Sequence, residues 1–207
     1  MTLVVAEKDQ IEARVEERLG GMGLEGPQGG EGPDCWPLER LPGWCVSLLL
    51  FRAVQNAAEL RLKAMSGALP GGVISAAVVL DPFQVLVAAH KAVHLHRLGK
   101  LKTKALHSEV IYNLSPSNNI SDAFRRFGVA DGDTAVLVVL VEEEGAERVD
   151  PASVEAHVNG QRVPAGELSA LADLARVRKT YKVAAEEERL GTLLDAVVFR
   201  MAAKEAQ

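Results

Sequence analysis

Thr134-Ala135-Val136-Leu137-Val138-Val139-Leu140-Val141-Glu142 decides how this chain of 207 residues is built. Its apolar residues follow one another without polar alternation, and many are β-branched. A run of that kind is a strand covered on both faces. Asp131-Gly132-Asp133 just ahead of it is a turn. Residues 46–51 form a second compact apolar run and read as another strand. Residues 73–80, partly β-branched, are a short strand or an extended connection that ends at Asp81-Pro82. Strands this few need helices to bury them, and most of the remaining sequence has a helical period.

Asp81-Pro82 is a helix start, with Asp at the cap and Pro at the first position. The helix is predicted to run to about Leu98 and stop at Gly99, with Val85, Ala88, Ala89, Ala92, Val93 and Leu95 on a wide buried face. Residues 106–114 fit a helical period better than alternation. After the polar break Ser115-Pro116-Ser117-Asn118-Asn119, residues Ile120, Ala123, Phe124 and Phe127 mark a short helix ended by Gly128. Asn56 and Gly67 bracket a helix over 57–65 with Ala57, Leu60, Ala64 and Met65 on its apolar face. Residues 151–158, 165–173 and 174–182 read as short helices, and 185–203 as a long one with its stripe on Leu190, Leu193, Leu194, Val197, Val198 and Met201. The fold class is therefore α/β of the α+β kind, a small sheet packed with many short helices and a long C-terminal helix.

Charge divides the chain in two. The formal net charge is −5, and residues 1–36 account for all of it, with eight acids and three bases against 20 of each in 37–207. Residues 6–19 could form one short amphipathic helix, marginal alone at that length. Residues 20–34 hold seven glycines and two prolines, too little apolar surface to offset ordering entropy. Residues 1–36 are thus expected to be a disordered acidic extension and 37–207 the folded domain. Gly21, Gly23 and Gly26 spell G-x-G-x-x-G, but no strand precedes them and Pro27-Gln28-Gly29-Gly30 follows. They read as linker, without the helix N-terminus a phosphate needs.

Composition excludes several classes. Cys35 and Cys45 are the only cysteines, which rules out a disulfide framework and a four-thiolate zinc site. No apolar run approaches a membrane span and no secretory pattern opens the chain, so a soluble intracellular protein is expected, with no membrane partner. No G-x-S-x-G, H-E-x-x-H, phosphate loop or kinase signature is present. The polar break reads as loop and caps. Glu142-Glu143-Glu144 reads as a solvated turn, and Glu186-Glu187-Glu188 as acids favoured in the first turn of the last helix.

The main chemical signal is the stretch 82–108, which contains no acid. It carries Lys91, Arg97, Lys100, Lys102 and Lys104 with four of the five histidines, His90, His94, His96 and His107. His90, His94 and Arg97 share one helical stripe. Two readings compete with a plain solvated face. Paired His90 and His94 suggest a small metal-dependent enzyme, but no carboxylate is at hand as third ligand or base and the fixed charges oppose a cation. Clustered bases without acids suit phosphates, so Lys91, His94, Arg97, Lys100, Lys102 and Lys104 are the candidate RNA-facing residues. Aromatic content of 4% argues against a base-stacking sheet. No metal or other cofactor is expected. The apolar stripe of the last helix is core packing or an edge shared with a partner protein, with Leu190, Leu194 and Met201 the candidates.

Longer stretches add a resemblance. Asp81-Pro82-Phe83-Gln84-Val85-Leu86-Val87-Ala88-Ala89, Lys91-Ala92-Val93-His94-Leu95, Leu98-Gly99-Lys100, Asn113-Leu114-Ser115-Pro116, Asn118-Asn119-Ile120-Ser121, Phe127-Gly128-Val129 and Gly191-Thr192-Leu193-Leu194-Asp195-Ala196 closely resemble the TPRKB family over about residues 38–207. That resemblance implies a noncatalytic, kinase-binding subunit of the EKC/KEOPS complex, found in nucleus and cytosol. Its direct partner is implied to be a small atypical kinase acting as an ATPase, with the other subunits reached indirectly. The complex makes threonylcarbamoyl-adenosine next to the tRNA anticodon, a separate subunit performs the transfer, and relatives of this subunit help bind the tRNA 3′ end. Residues 1–36 lie outside the family domain. His90 stands where an amide is usual, and Ala184-Ala185 where serines are usual. The latter predicts a last helix without a side-chain N-cap, at a cost of about 1 kcal/mol.

Overall fold

The computed structural model describes residues 34–38 and 40–206. The amphipathic segment 6–19, nearly all of the glycine-rich stretch and the Gly21–Gly23–Gly26 motif lie outside them. Among these residues five antiparallel strands form one sheet: β1 (Asp34–Pro37), β2 (Trp44–Arg52), β3 (Gly72–Ser75), β4 (Val136–Glu143) and β5 (Gln161–Val163). The order is β1-β2-β4-β3. β4 pairs with β2 from Trp44 to Phe51, so β1 and β5 must share the other edge of β2, β1 against Cys45–Leu48 positions and β5 against Leu50 to Arg52. β1 begins at Asp34, inside the expected extension, where pairing with β2 supplies backbone partners that the glycine-rich surroundings did not announce. Cys35 of β1 and Cys45 of β2 are neighbours there, and burial with the nearby Cys35 pushes the Cys45 thiol up to about 11.

Among the described residues there are also eight α-helices: α1 (Ala57–Ser66), α2 (Pro82–Arg97), α3 (Leu106–Leu114), α4 (Ile120–Phe127), α5 (Pro151–Glu155), α6 (Leu168–Leu171), α7 (Leu174–Tyr181) and α8 (Leu193–Ala202). They cover both faces of the sheet. On one, Val46, Leu48, Leu50, Leu137, Val139 and Val141 meet Val85, Ala89 and Val93 of α2, Val110 and Leu114 of α3, Val177 of α7 and Val197 of α8. On the other, Leu49, Phe51, Val136, Val138 and Leu140 meet Leu60 of α1 and Val154 of α5. Alternate residues of β4 thus enter opposite cores, which is why its sequence lacks polar positions. Gly71, at φ +95°, is needed where the chain enters β3, since a Cβ there would lie 2.7 Å from Leu140.

α2 begins as expected: Asp81 Oδ1 accepts the Phe83 N–H at 2.8 Å and Pro82 opens the helix. Its small residues Ala88, Ala89 and Ala92 lie on the buried side. One buried polar chain ties the helical layer together. Gln84 Nε2 donates to Tyr181 Oη at 2.8 Å, Tyr181 Oη donates to the Leu114 carbonyl at 2.7 Å, and the Leu80 N–H donates to Gln84 Oε1 at 3.0 Å.

Three further expectations, all about the helices, differ from the structure. Asn56 makes no side-chain cap to α1; its Nδ2 donates to the His157 carbonyl and its Oδ1 accepts the Asn159 N–H, so it pins a distant segment. Met65, expected on the apolar face of α1, is 73% exposed, because the side of α1 turned to the sheet carries Ala57, Leu60 and the partly buried Ala64. The helix expected over 185–203 is divided: a 3-10 turn at Glu187–Arg189 comes first, and α8 starts at Leu193. Gly191 interrupts it, and Thr192 caps α8 in a capping box with Asp195, so Ala184 and Ala185 are not at a helix start and no cap is missing.

Candidate functional site

The basic surface is built at the C-terminal end of α2 and the loop that follows. Gly99, at φ +65°, turns the chain out of the helix, and its N–H and that of Lys100 donate to the carbonyls of His96 and Leu95. His94, Arg97, Lys100, Lys102 and Lys104 are exposed, and Lys91 is half-buried. Among the described residues Arg97, Lys100, Lys102 and Lys104 form no ion pair, in contrast to Arg125, Arg126, Arg176, Arg178 and Arg200, each of which meets a carboxylate. Unneutralised lysines in a loop are suited to a polyanion; paired arginines are suited to holding helices together.

The loop has an acid beneath it that the sequence reading missed. Glu109, in the first turn of α3, is wholly buried. Its Oε2 accepts the N–H groups of Lys102 and Thr103 at 3.0 and 2.8 Å and the Thr103 hydroxyl at 2.7 Å. Glu109 is the first acid after the acid-free stretch, but nothing in its spacing shows that it folds back.

The histidines separate. His94 is exposed and His90 half-buried. His96 meets the Trp44 ring edge-on at 5.8 Å between centroids. His107 Nε2 accepts the Val141 N–H at 3.3 Å, which requires the neutral ring, and burial holds its pKa below the usual histidine value. Among the described residues no three His, Cys, Asp or Glu side chains gather where a metal could sit. No described helix is long and apolar enough to cross a membrane.

A second surface involves the C-terminal helices. Leu190 is 72% exposed and Leu194 half-buried against the core. Met201 is 2% exposed and sits inside the main core, because α8 turns that side toward the sheet; it offers nothing to a partner. Phe199, not singled out in the sequence, is 56% exposed instead. Leu174 of α7 and Ile120 and Phe124 of α4 are exposed apolar residues on neighbouring helices. Arg176 Nη2 donates to the Arg126 carbonyl and Asn118 Nδ2 to the Lys204 carbonyl, which join these helices. The Glu186–Glu188 run lies at the 3-10 turn ahead of α8, not in the first turn of α8, and its side chains act here. Glu188 grips Arg178 with two hydrogen bonds of 2.6 and 2.9 Å, and Glu187 pairs with Arg200 at 2.6 Å.

Comparison with known proteins adds the following. Residues 51–205 match the family described as "Kinase binding protein CGI-121". The chain is similar to the EKC/KEOPS complex subunit TPRKB of Danio rerio, 49% identical over 168 residues that cover 81% of this chain and 95% of that relative. It is also similar to the EKC/KEOPS complex subunit cgi121 of Aspergillus fumigatus, 37% identical over 67% of this chain and 76% of the relative. The cgi121 subunit of Aspergillus terreus is 38% identical over 68% and 75%.

Proposed function

Because this chain belongs to the CGI-121 family of kinase-binding proteins, we propose that it is a noncatalytic subunit of an EKC/KEOPS complex, one that binds and activates a small atypical kinase and helps hold tRNA for threonylcarbamoyl-adenosine formation. The observation that carries this reading is the reach of the similarity, which spans 95% of the Danio rerio subunit and so extends well beyond a shared module. The compartments are nucleus and cytosol, where the tRNA substrate is met.

Two surfaces support the reading. The exposed apolar residues Leu190, Phe199 and Leu174 suit a partner protein, since large apolar groups at a protein contact lose water on docking. Arg97, Lys100, Lys102 and Lys104, with Lys91 and His94 beside them, suit tRNA phosphates. Substitution Leu190→Glu with Phe199→Glu tests the first surface in co-purification of the coexpressed kinase and in stimulation of its ATP hydrolysis. Both decline if these residues form the contact; a wild-type chain that fails to co-purify with the kinase overturns the reading. The isolated chain is expected to show neither ATP hydrolysis nor tRNA modification, and either activity in the purified chain overturns the noncatalytic role. For tRNA, five bases on single-stranded phosphates give a log–log salt slope of about −3.5, and a slope near zero removes the tRNA role while leaving the kinase role standing.

A further inference from the structure

Lys100, Lys102 and Lys104 are exposed, while Leu101 and Thr103 between them are half-buried. The chain bends from Lys102 through Ala105, so this is a turned loop that carries three exposed lysines. Among the described residues the loop pairs with no strand, so no ladder fixes its shape. Glu109 supplies what a ladder would. Its Oε2 takes two successive backbone N–H groups and the hydroxyl of Thr103, the residue that points inward between two of the lysines. The single Thr103 hydroxyl proton is shared with the Ala105 carbonyl, 3.1 Å from Oγ1, which keeps the loop close to the start of α3. A wholly buried carboxylate is costly unless hydrogen-bonded, and every hydrogen bond Glu109 makes through its carboxylate goes to this loop.

We propose that Glu109 is a positioning residue for polyanion binding, a buried acid that fixes the bent loop presenting Lys100, Lys102 and Lys104 to a phosphate backbone. The proposal rests on the reading of residues 82–108 as an RNA-facing surface. It carries a sign that simple charge does not. Removing a negative group beneath three lysines strengthens their attraction for phosphates by Coulomb's law. Releasing the loop weakens binding, because the lysines no longer meet phosphates together and must be ordered on association.

The test uses the full chain and a single-stranded RNA oligonucleotide, with affinity measured across a salt series for wild type, Glu109→Leu, Thr103→Val and Thr103→Ser. Glu109→Leu, which removes the acceptor, and Thr103→Val are expected to bind at least about threefold more weakly. Their salt slope should fall from about −3.5 toward about −1.4, as three of five bases cease to act together. Thr103→Ser, which keeps the hydroxyl, retains wild-type affinity and slope. Amide exchange at Lys102 and Thr103 accelerates in Glu109→Leu. Binding by Glu109→Leu that equals or exceeds wild type, with an unchanged slope, overturns the proposal and leaves the RNA-facing surface intact. Wild-type protein that does not bind the RNA overturns that surface and the proposal with it. If Glu109→Leu fails to fold, the Thr103 pair decides: a Thr103→Val variant binding like Thr103→Ser refutes the positioning role.

Discussion

At the scale of single residues, polar groups set inside the helical layer matter most. Tyr181 is buried, and burial raises its pKa far above the usual phenol value, so it is a neutral donor to the Leu114 carbonyl at every accessible pH. Tyr181→Phe strands that carbonyl and loosens Gln84; equilibrium urea unfolding should show a loss of about 1–3 kcal/mol. His107 adds a pH dependence. Burial lowers its pKa and Glu142 acts weakly in the other direction. As pH falls through about 6.5 the unfolded imidazole takes a proton while the folded one stays neutral. The unfolded state then binds more protons, so this stabilisation is complete above that value and is lost as pH drops toward the depressed folded pKa. His107→Gln keeps an acceptor for Val141 and does not titrate; its unfolding free energy should vary less than that of wild type between about pH 7 and pH 5. Identical pH dependence in the two proteins would refute the assignment.

At the scale of elements, the division of the last helical region is the main lesson. A stripe of Leu190, Leu193, Leu194, Val197, Val198 and Met201 satisfies a helical period from end to end, yet the chain breaks at Gly191-Thr192. Periodicity reports which residues could share a face; it does not weigh a glycine followed by a strong cap. Thr192→Ala should cost about 1 kcal/mol in thermal or urea unfolding, whereas Ala184→Ser, at the site once expected to lack a cap, should change stability by less than about 0.5 kcal/mol. The reverse ranking would restore a continuous helix. α2 shows the opposite case, in which Asp81, Pro82 and Gly99 punctuate the sequence so clearly that the helix was legible at both ends. The strand β1 was not legible, because a short edge strand owes its conformation to the β2 backbone beside it and to no pattern of its own.

At the scale of the whole molecule, the two surfaces differ in how well sequence located them. Charge is carried by residue identity, so the basic loop was visible from Lys100, Lys102 and Lys104, and the structure exposes all three. Apolar residues serve cores and contacts alike, so the helical stripe does not distinguish the buried Met201 from the exposed Phe199. Met201→Ala should lower stability by about 2–5 kcal/mol, as removal of a buried side chain does. Phe199→Ala should leave stability within about 0.5 kcal/mol of wild type and reduce capture of the kinase. Equal stability losses in the two variants would place Phe199 in the core and remove it from the contact. The net charge of −5 was an average over an acidic N-terminal region and a balanced domain, and it conceals the positive loop.

The sequence by itself determined the α+β class, the strand at β4, the ends of α2 and α4, the segregation of charge and the family. These depend on local period, turn chemistry and residue identity, which a chain carries before it folds. Only the tertiary structure decided that Met201 faces inward, that Asn56 and Glu187 serve distant partners, and that Glu109 reaches back beneath the lysines. Each of those depends on which groups the fold brings within hydrogen-bond or packing distance, and no spacing along the chain contains that information.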